Sequence, residues 1–377
     1  MKSVIKFFTN VVIVAGSFFL LAAGFIYFRI LSSHSISIGM FLACIFAAMV
    51  VLTLLHSMAQ STFFRRLLAV VYTTKFSILA FFILVGSYNH GVRNACGIVF
   101  SSFREPLTHL AHYRNSPSQQ HSKFKLFVTN LKLTALQLIN RDEYVESTTN
   151  FFDYSVSAFH YGTLRFLFDE IFVAGPYAFK TSNKKPFIVD CGSNIGISVL
   201  YFKTLYPDAT IIAFEPDPRT FGLLKKNIEQ NNLSNTKAFN AAISDSEKPL
   251  TFFFNTHTPG HPCMSSDLGR SHIVREKQTV QAAVLSKFIT QPVDFLKMDI
   301  EGAEYGALHE LAQTGKLSLV QQMVIEYHHH LTNNNDQLAA FLHILESNGF
   351  GYQICTQHQL PSEKNIFQDM LIYAYQK

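Results

Sequence analysis

The fold is decided by one short stretch, Phe187-Ile188-Val189-Asp190-Cys191-Gly192-Ser193-Asn194-Ile195-Gly196. Its apolar first half predicts a buried strand, and its glycines predict a tight turn that opens a helix over residues 195–205. Such a turn lets the backbone approach a ligand at the N-terminus of the helix. Asn194 stands where the dinucleotide fingerprint has a glycine, so the turn favours a cofactor without a pyrophosphate.

The rest of residues 184–377 repeats this alternation of short apolar runs with amphipathic segments. The alternation predicts a Rossmann-like α/β fold, with a mostly parallel sheet and helices on both of its faces. Two closing runs, 351–355 and 370–375, predict a terminal antiparallel pair. The other predicted strands are 186–190, 210–215, 238–243, 293–298 and 320–327, and the later predicted helices are 220–230, 304–312 and 336–347.

A carboxylate at the second strand end supports a nucleotide-type cofactor. Glu215 follows Asp190 by 25 residues, and a carboxylate at this position can accept hydrogen bonds from both hydroxyls of a ribose. A glycine-rich turn alone is equally typical of a plain strand-to-helix connection. The placement of Glu215 therefore favours the cofactor interpretation.

These motifs resemble those of the FkbM-type methyltransferases. The resemblance lies in residues 187–196, in Phe214-Glu215-Pro216-Asp217-Pro218, and above all in Lys297-Met298-Asp299-Ile300-Glu301-Gly302-Ala303-Glu304. It covers the chain from about Glu170 to the C-terminus. It implies a class I methyltransferase fold, S-adenosylmethionine as the cofactor, and O-methylation of a sugar, polyketide or other hydroxyl-bearing acceptor.

The resemblance also implies where the cofactor binds. Its amino acid end is expected at the first turn, its ribose at Glu215, and its adenine at the next strand end. The cofactor-binding residues predicted in this way are Asp190, Gly192, Ser193, Asn194, Gly196, Glu215, Pro216, Asn240, Ala242 and Asp299.

Methyl transfer to a hydroxyl requires an aligned acceptor oxygen and a base that removes its proton. The candidate catalytic residues at the later strand ends are Asp299, Glu301, Glu326 and His328. Asp299 and Glu301 are alternatively acids that the helix dipole favours before a helix, and Glu304 fits that description best. Neighbouring carboxylates also suit a divalent cation, but two acids are weak evidence, so the sequence predicts no metal site.

The charge of the chain is divided unevenly. Its 377 residues contain 31 Lys and Arg against 26 Asp and Glu, and 48% hydrophobic residues exclude a disordered, collagenous or disulfide-stapled class. The first 104 residues contain eight of the bases and no acid. The remaining residues hold 23 bases and 26 acids, a net charge of −3.

The basic first quarter, residues 1–104, is predicted to be a membrane segment. Residues 7–28 and 36–59 are uncharged runs of 22 and 24 residues, each long enough to span a bilayer as a helix. Residues 67–88 are interrupted by Lys75 and are typical of an interfacial segment or a third span. A cleaved signal peptide is the alternative for the first run, although its apolar stretch exceeds a signal core. Residues 105–183 are a linker and lead-in subdomain.

Positive charges flanking the two runs predict a multi-pass integral membrane protein with its catalytic domain on the cytoplasmic side. A span at residues 67–88 would instead place that domain outside. Anchoring favours a hydroxyl-bearing small-molecule, glycan or lipid-linked acceptor near the lipid bilayer. The acidic remainder offers no basic stripe for phosphates, so nucleic acid is not expected as a partner. The alternative function is a non-catalytic membrane adaptor or sensor that retains the fold.

Overall fold

The computed structural model describes residues 123–140, 144–254, 276–329, 337–356 and 368–377. None of the helices in these ranges combines the length and the apolar character needed to cross a bilayer. The predicted membrane segment, with its runs at 7–28, 36–59 and 67–88, lies outside the described residues. The membrane prediction therefore stays a prediction.

The lead-in region forms helices around a small hairpin. Arg165 on the second helix donates to Gln137 on the first, which ties the two helices together at 2.9 Å between Nε and Oε1. The elements are α1 (Lys123–Ile139), β1 (Ser147–Phe151), β2 (Tyr154–Ala158), α2 (Tyr161–Phe168) and a π-helical segment (Asp169–Ala174).

The second part of the chain alternates strands and helices. Its strands are β3 (Phe187–Cys191), β4 (Thr210–Phe214), β5 (Thr236–Phe239), β6 (Ala242–Ile243), β7 (Leu250–Phe254), β8 (Glu276–Val280), β9 (Ala282–Ala283), β10 (Phe295–Met298), β11 (Gln322–His329), β12 (Phe350–Thr356) and β13 (Gln368–Gln376). Its α-helices are α3 (Ile197–Leu205), α4 (Pro218–Gln230), α5 (Glu304–Gln313) and α6 (Leu338–Ser347), with short 3-10 helices at Leu285–Lys287 and Lys316–Leu319.

Seven of these strands form the central sheet, in the order β12-β13-β11-β10-β3-β4-β5. The pairs of β3 with β4 and β10, of β4 with β5 and of β10 with β11 are parallel. Strand β13 runs antiparallel to both β11 and β12. The predicted mostly parallel sheet with a terminal antiparallel pair is therefore confirmed. The single strand expected over residues 238–243 is wrong, because β5 ends at Phe239 and β6 pairs with β9 in a separate sheet.

Alternate side chains of the central strand β3 enter two different hydrophobic cores, because successive residues of a strand face opposite sides. Ile188 packs with the lead-in region and with helix α3, whereas Val189 packs with the side chains of α5 and α6. Both side chains are fully buried. Burial on both faces explains why the first three residues of the strand are all apolar rather than alternating.

Helix α4 attaches the lead-in hairpin to the sheet domain. Asn227 on α4 accepts from the amide of Ser157 at 2.8 Å and donates to the carbonyl oxygens of Ser157 and Ile195, at 3.0 and 2.8 Å. Ser157 lies on β2 and Ile195 in the glycine-rich turn. One buried amide therefore joins the hairpin to the turn that the sequence singles out.

Candidate active site

The glycine-rich turn between β3 and α3 is folded tightly onto its neighbours. Gly192 and Gly196 have φ angles of 79° and 91°, in the left-handed region that favours glycine. A Cβ atom at Gly192 would lie 1.8 Å from the carbonyl oxygen of Asp299. The missing side chain thus lets the end of β10 approach the turn.

The amides of the turn already have acceptors within the protein. Gly192 and Ser193 both donate to the carbonyl oxygen of Phe214, at 3.0 and 2.9 Å, and Gly196 donates to that of Ser193 at 2.8 Å. Asn194 donates its amide to Glu215 Oε2 at 2.9 Å. These hydrogen bonds fix the shape of the turn, because all four amides have acceptors within the protein.

Glu215 is buried at the end of β4, 4% exposed. Its Oε2 accepts from Asn194 and its Oε1 from the amide of Asp217, both at 2.9 Å. Burial raises the pKa of this carboxyl group to about 8, although the two amides and the Lys297 charge oppose the shift. Each carboxylate oxygen has a second lone pair, so the group can still accept hydrogen bonds from a ligand.

Lys297 is a buried cation between the turn and the strand ends. Its Nζ lies 3.5 Å from Asp190 Oδ1 and 3.4 Å from Asp299 Oδ2. It also donates to the carbonyl oxygens of Cys191 and Gly192. Burial opposes the charge, but the surrounding carboxylates outweigh it and raise the pKa of Lys297. The lysine is therefore a permanent positive charge that holds the ends of β3 and β10 together.

Asp190 consequently makes its contacts to other side chains of the protein. One carboxylate oxygen faces Lys297, and the other accepts from the hydroxyl of Ser198 on α3 at 2.5 Å. Asp190 is fully buried. It thus links the strand, the lysine and the helix that follows the turn.

Sheet register brings the later polar residues to one face. Lys297 pairs with Asp190 on β3 and with Val324 on β11, and His328 pairs with Asp369 on β13. Paired residues of adjacent strands project to the same side of a sheet. Two residues beyond Lys297, this register sets Asp299 opposite Glu326. Residues 190, 297, 299, 326, 328 and 369 therefore project from a single face at the carboxyl edge.

His328 lies among three carboxylates. Its Nδ1 is 2.9 Å from Glu304 Oε1, and its Nε2 is 3.3 Å from Glu301 Oε2 and 3.6 Å from Asp369 Oδ1. Burial alone would lower the pKa of His328, but Glu304 and the other carboxylates raise it to about 9. The imidazole is thus protonated at neutral pH and cannot then accept a proton. Glu304 begins α5, as predicted, and its Oε1 also accepts from the amide of Gly302 at 2.9 Å.

The lead-in region supplies one wall of this carboxylate cluster. Glu170, in the π-helical segment, has its pKa raised to about 7 by burial and by Asp299, with Lys297 opposing. The ring of Tyr177 lies 5.5 Å from Lys297 Nζ. Burial and the nearby Asp299 raise the pKa of Tyr177 well above its ordinary value, so it stays neutral.

Glu326 is a strand-end carboxylate of this cluster whose proton affinity is raised. Burial, followed by the charges of Asp299 and Glu170, raises its pKa to about 8, and His328 opposes the shift. Its carboxylate is half-buried on the same face as Asp299. A carboxylate with a pKa near the working pH has the proton affinity that general base catalysis requires.

The structure separates the remaining predicted cofactor residues from the cluster. Asn240 donates its amide nitrogen to the carbonyl oxygens of Glu215 and Pro216, at 2.8 and 3.0 Å, and so braces the end of β4. Ala242 is buried in the small β6–β9 pair. Asn240 and Pro216 thus lie beside Glu215, whereas Ala242 packs in a separate small apolar cluster with Val280.

Two groups of side chains could share a cation. The ligand atoms of Asp299, Glu301 and His328 all lie within 4.8 Å of one another, and so do those of Glu326, His328 and Asp369. Both groups depend on His328, which a metal would bind only in its neutral form. The carboxylates around this histidine favour its protonated form instead.

The chain is similar to known methyltransferases. A family model described as the methyltransferase FkbM domain matches residues 190–353. Methyltransferase 1 of Beauveria bassiana (strain ARSEF 2860) is 30% identical over 223 residues, which covers 54% of this chain and 88% of that protein. The chain belongs to the FkbM methyltransferase family. Its members use S-adenosylmethionine, and this chain is an S-adenosylmethionine-dependent methyltransferase.

Two further methyltransferases are similar to the chain. Methyltransferase sdnD of Sordaria araneosa is 32% identical over 194 residues, covering 43% of this chain and 74% of that protein. The solved methyltransferase FkbM from Methylobacillus flagellatus KT is 17% identical, with a TM-score of 0.34, over 66% of this chain and 59% of that one.

The described residues fit this cofactor. The Gly192–Gly196 turn lies against Glu215, because the Asn194 amide donates to Glu215 Oε2 at 2.9 Å, so one ligand can reach both. The buried Glu215 carboxylate has a raised pKa because it lacks solvent, and ribose hydroxyls would donate to it. When bound, S-adenosylmethionine supplies an electrophilic methyl group on a positively charged sulfur.

The sequence alone missed four residues of the site: Lys297, Tyr177, Glu170 and Asp369. Lys297 did carry a signal, because a lysine inside the apolar strand Phe295–Met298 requires buried partners. The other three have no local sequence signal, because sheet register and the fold of the lead-in region bring them to the cluster.

Proposed function

We propose that this methyltransferase transfers its methyl group to a hydroxyl of a glycan or lipid-linked acceptor. The observation that carries the proposal is the carboxylate cluster at the strand ends, where Glu326 has its pKa raised to about 8 beside Asp299. An alcohol must lose its proton as the methyl group arrives. A partly desolvated carboxylate is suited to accept it.

In the proposed reaction Glu326 would accept the proton of the acceptor hydroxyl, and bound S-adenosylmethionine would supply the methyl group that replaces this proton on the oxygen, leaving the cofactor as the neutral thioether. Lys297 and the protonated His328 offset the negative charge of the cluster throughout. Glu304 holds the imidazole ring in place through Nδ1. Asp299 and Glu301 then orient the acceptor, whereas His328 acts as a charge rather than as the base.

For the cofactor, we assign the amino acid end to the Gly192–Gly196 turn and to Asp299. Glu215 takes the ribose, and Pro216 and Asn240 lie beside the adenine. Asp190 acts through Lys297 and Ser198, because both of its oxygens face those groups. Ala242 supports this edge by packing rather than by direct contact.

The same cluster argues against a nucleic acid acceptor. Glu170, Asp299, Glu301, Glu326 and Asp369 place carboxylates where the acceptor must lie. A phosphate backbone requires cationic contacts, and these acids would repel it. A neutral hydroxyl compound meets no such opposition.

The proposal includes a membrane anchor and a cytoplasmic catalytic domain. Its support is the sequence of residues 1–104, with two long uncharged runs, eight bases and no acid. An anchored enzyme encounters its acceptor at the bilayer surface, which favours a lipid-linked substrate. Protease treatment of sealed vesicles tests the orientation, because the catalytic domain must be cleaved from the cytoplasmic side only.

The acceptor is tested by transferring labelled methyl groups from S-adenosylmethionine to separated fractions of a membrane extract. The proposal is supported by label in a lipid-linked glycan fraction that survives mild base. Methyl ethers survive this treatment, whereas methyl esters do not. Label confined to RNA, or to base-labile esters, contradicts it. Glu326→Gln is the matched inactive control.

A divalent cation is the second interpretation of the same residues, favoured by the two groups that share His328. It would polarise the acceptor hydroxyl in place of a protein base. The interpretation requires a neutral His328. Chelation distinguishes it from the base mechanism.

A further inference from the structure

Helix α1 exposes large apolar side chains, although its buried face combines Leu126 and Leu133 of the core with three polar side chains. Thr129, Asn130 and Thr134 are buried, at 7%, 1% and 5% exposure. Val128 and Leu131 are 45% and 39% exposed, among the most exposed large apolar side chains in the described part of the chain. A surface helix normally turns its large apolar side chains toward the core, so Val128 and Leu131 need a separate explanation.

The exposed residues of α1 form one continuous stripe. Positions 125, 128, 131, 132 and 135 are exposed and follow a spacing of three and four residues. They place Val128, Leu131 and Ala135 along the outer side, with Lys125 and Lys132 beside them. Lys132 Nζ also donates to the carbonyl oxygen of Asn150, and its side chain stays on the surface. We call this surface the α1 stripe.

The charge of the helix indicates the partner. The sequence of α1 includes three lysines and no acid. An apolar strip flanked by lysines is the pattern of a helix that lies in the interface of an anionic bilayer. Residues 1–104, with their two long apolar runs, precede this helix in the chain.

The buried side of α1 connects the stripe to the active site. Asn130 donates its side-chain amide to Asp169 Oδ1. Asp169 begins the π-helical segment, and the next residue, Glu170, belongs to the carboxylate cluster. The helix surface and the wall of the acceptor site are therefore parts of one packed unit.

We propose that the α1 stripe docks onto an anionic phospholipid surface, with Val128, Leu131 and Ala135 among the acyl chain ends and Lys125 and Lys132 at the phosphates. This docking brings the Glu170 wall close to the bilayer. It rests on the proposed membrane location and specifies it, because it names the surface that faces the lipid. It also selects for acceptors whose hydroxyl lies near the headgroups.

The chain contains no tryptophan, which gives a direct test. Single variants Val128→Trp and Leu131→Trp are made in the full-length protein and reconstituted in vesicles with and without phosphatidylglycerol. The matched control is Ile354→Trp, since Ile354 on β12 is 42% exposed. Brominated lipids then quench only a tryptophan that enters the bilayer.

We expect blue-shifted, quenched emission from both α1 variants on anionic vesicles, and water-like, unquenched emission from Ile354→Trp. Adding Lys125→Gln or Lys132→Gln should lower the docked-to-undocked ratio by about fivefold each. Retained methyl transfer shows that a variant is folded. Unquenched emission from both α1 variants overturns the proposal. This holds if the emission is water-like, and also if it is blue-shifted because other parts of the protein cover the stripe.

Flotation of the wild-type chain with the vesicles separates this test from that of the anchor. If the chain floats and the α1 variants are unquenched, the anchor stands and the docking fails. If the wild type does not float, the proposed anchor fails, and quenching measured after adding vesicles still reports on the stripe.

Discussion

The two halves of the active site are built on opposite principles. At the ends of β3 and β4, hydrogen bonds of 2.9 to 3.0 Å join amides of the turn to the Phe214 carbonyl oxygen and to the Glu215 carboxylate. At the ends of β10, β11 and β13, carboxylates lie close together around Lys297 and His328. The first half is a fixed shape, which suits a constant cofactor. The second has proton affinities raised by burial and then by mutual repulsion, which suits proton transfer from an acceptor.

The two halves also differ in how their buried charges are compensated. In the cofactor half, Asp190 is balanced by Lys297 and Ser198. In the acceptor half, burial raises the pKa values of Glu170 and Glu326, and the neighbouring acids, which outnumber the two cations, raise them further. Substitutions in the two halves should therefore have distinct consequences: loss of shape in one and loss of proton transfer in the other.

The largest effect is expected from Gly192→Ala. The new Cβ would meet the Asp299 carbonyl oxygen at 1.8 Å, on a backbone with a φ of 79°. The strain alone costs roughly 1–3 kcal/mol, and the collision adds to it. Thermal unfolding should show a large destabilisation together with loss of cofactor binding.

The matched control is Gly222→Ala inside helix α4, where a Cβ meets nothing within 4 Å. It should stabilise the protein by about 0.5–1 kcal/mol. Equal stability of the two variants would contradict the close approach of β10 to the turn.

Next in size is Glu326→Gln, which removes the proposed base and keeps the shape of the side chain. We expect kcat to fall by about 10²–10⁴-fold with the Kd for S-adenosylmethionine unchanged. Steady-state kinetics and calorimetric titration measure the two quantities. Glu346→Gln, at an exposed carboxylate bonded to Tyr352, should leave both unchanged. Full activity of Glu326→Gln would show that the base lies elsewhere.

Glu215→Gln should show the reverse pattern, with weakened cofactor binding and a smaller effect on kcat at saturation. Because the raised pKa of about 8 leaves Glu215 largely neutral at pH 7, each lost hydrogen bond is worth about 0.5–1.5 kcal/mol, so the Kd should rise by about 2- to 13-fold per bond. Calorimetric titration measures it. If Kd is unchanged while kcat falls, Glu215 belongs to the chemistry rather than to the ribose.

The acceptor half should also set the pH dependence. Glu326 must be deprotonated to accept a proton, so kcat/KM should rise as pH increases through about 8. His328 must stay protonated, so the rate should fall above about 9. These apparent values belong to the coupled cluster. From pH 8 to pH 7 we expect a loss of about fivefold, and a rate that is flat from pH 6 to 9 would count against both roles.

The smallest effect is expected from metal removal. Because the carboxylates keep His328 protonated, EDTA should change kcat less than about twofold, in line with a protein base. Activity that vanishes with EDTA and returns with Mg²⁺ or Mn²⁺ would favour the cation interpretation. Cofactor binding serves as the control, since Glu215 and the turn lie in the other half of the site.

Much of this molecule could be predicted from local sequence. The alternation of apolar runs predicted the parallel sheet, because burial on two faces imposes a continuous apolar pattern. Gly192, Gly196 and Glu215 followed from spacing, since a turn and the next strand end are close in the chain. The boundary at Phe239 was missed, because the apolar run continues into β6, which pairs in another sheet.

Only the tertiary structure assembled the charges. Asp190, Lys297, Glu326 and Asp369 are far apart in the chain, and strand register sets them on one face. Glu170 joins them because the lead-in region packs beside the strand ends, and the hydrophobic pattern of the sequence did not predict that packing. The sequence by itself thus determined the cofactor turn, because backbone conformation is a short-range property. The proton affinities were decided by the fold, because burial and charge act through space.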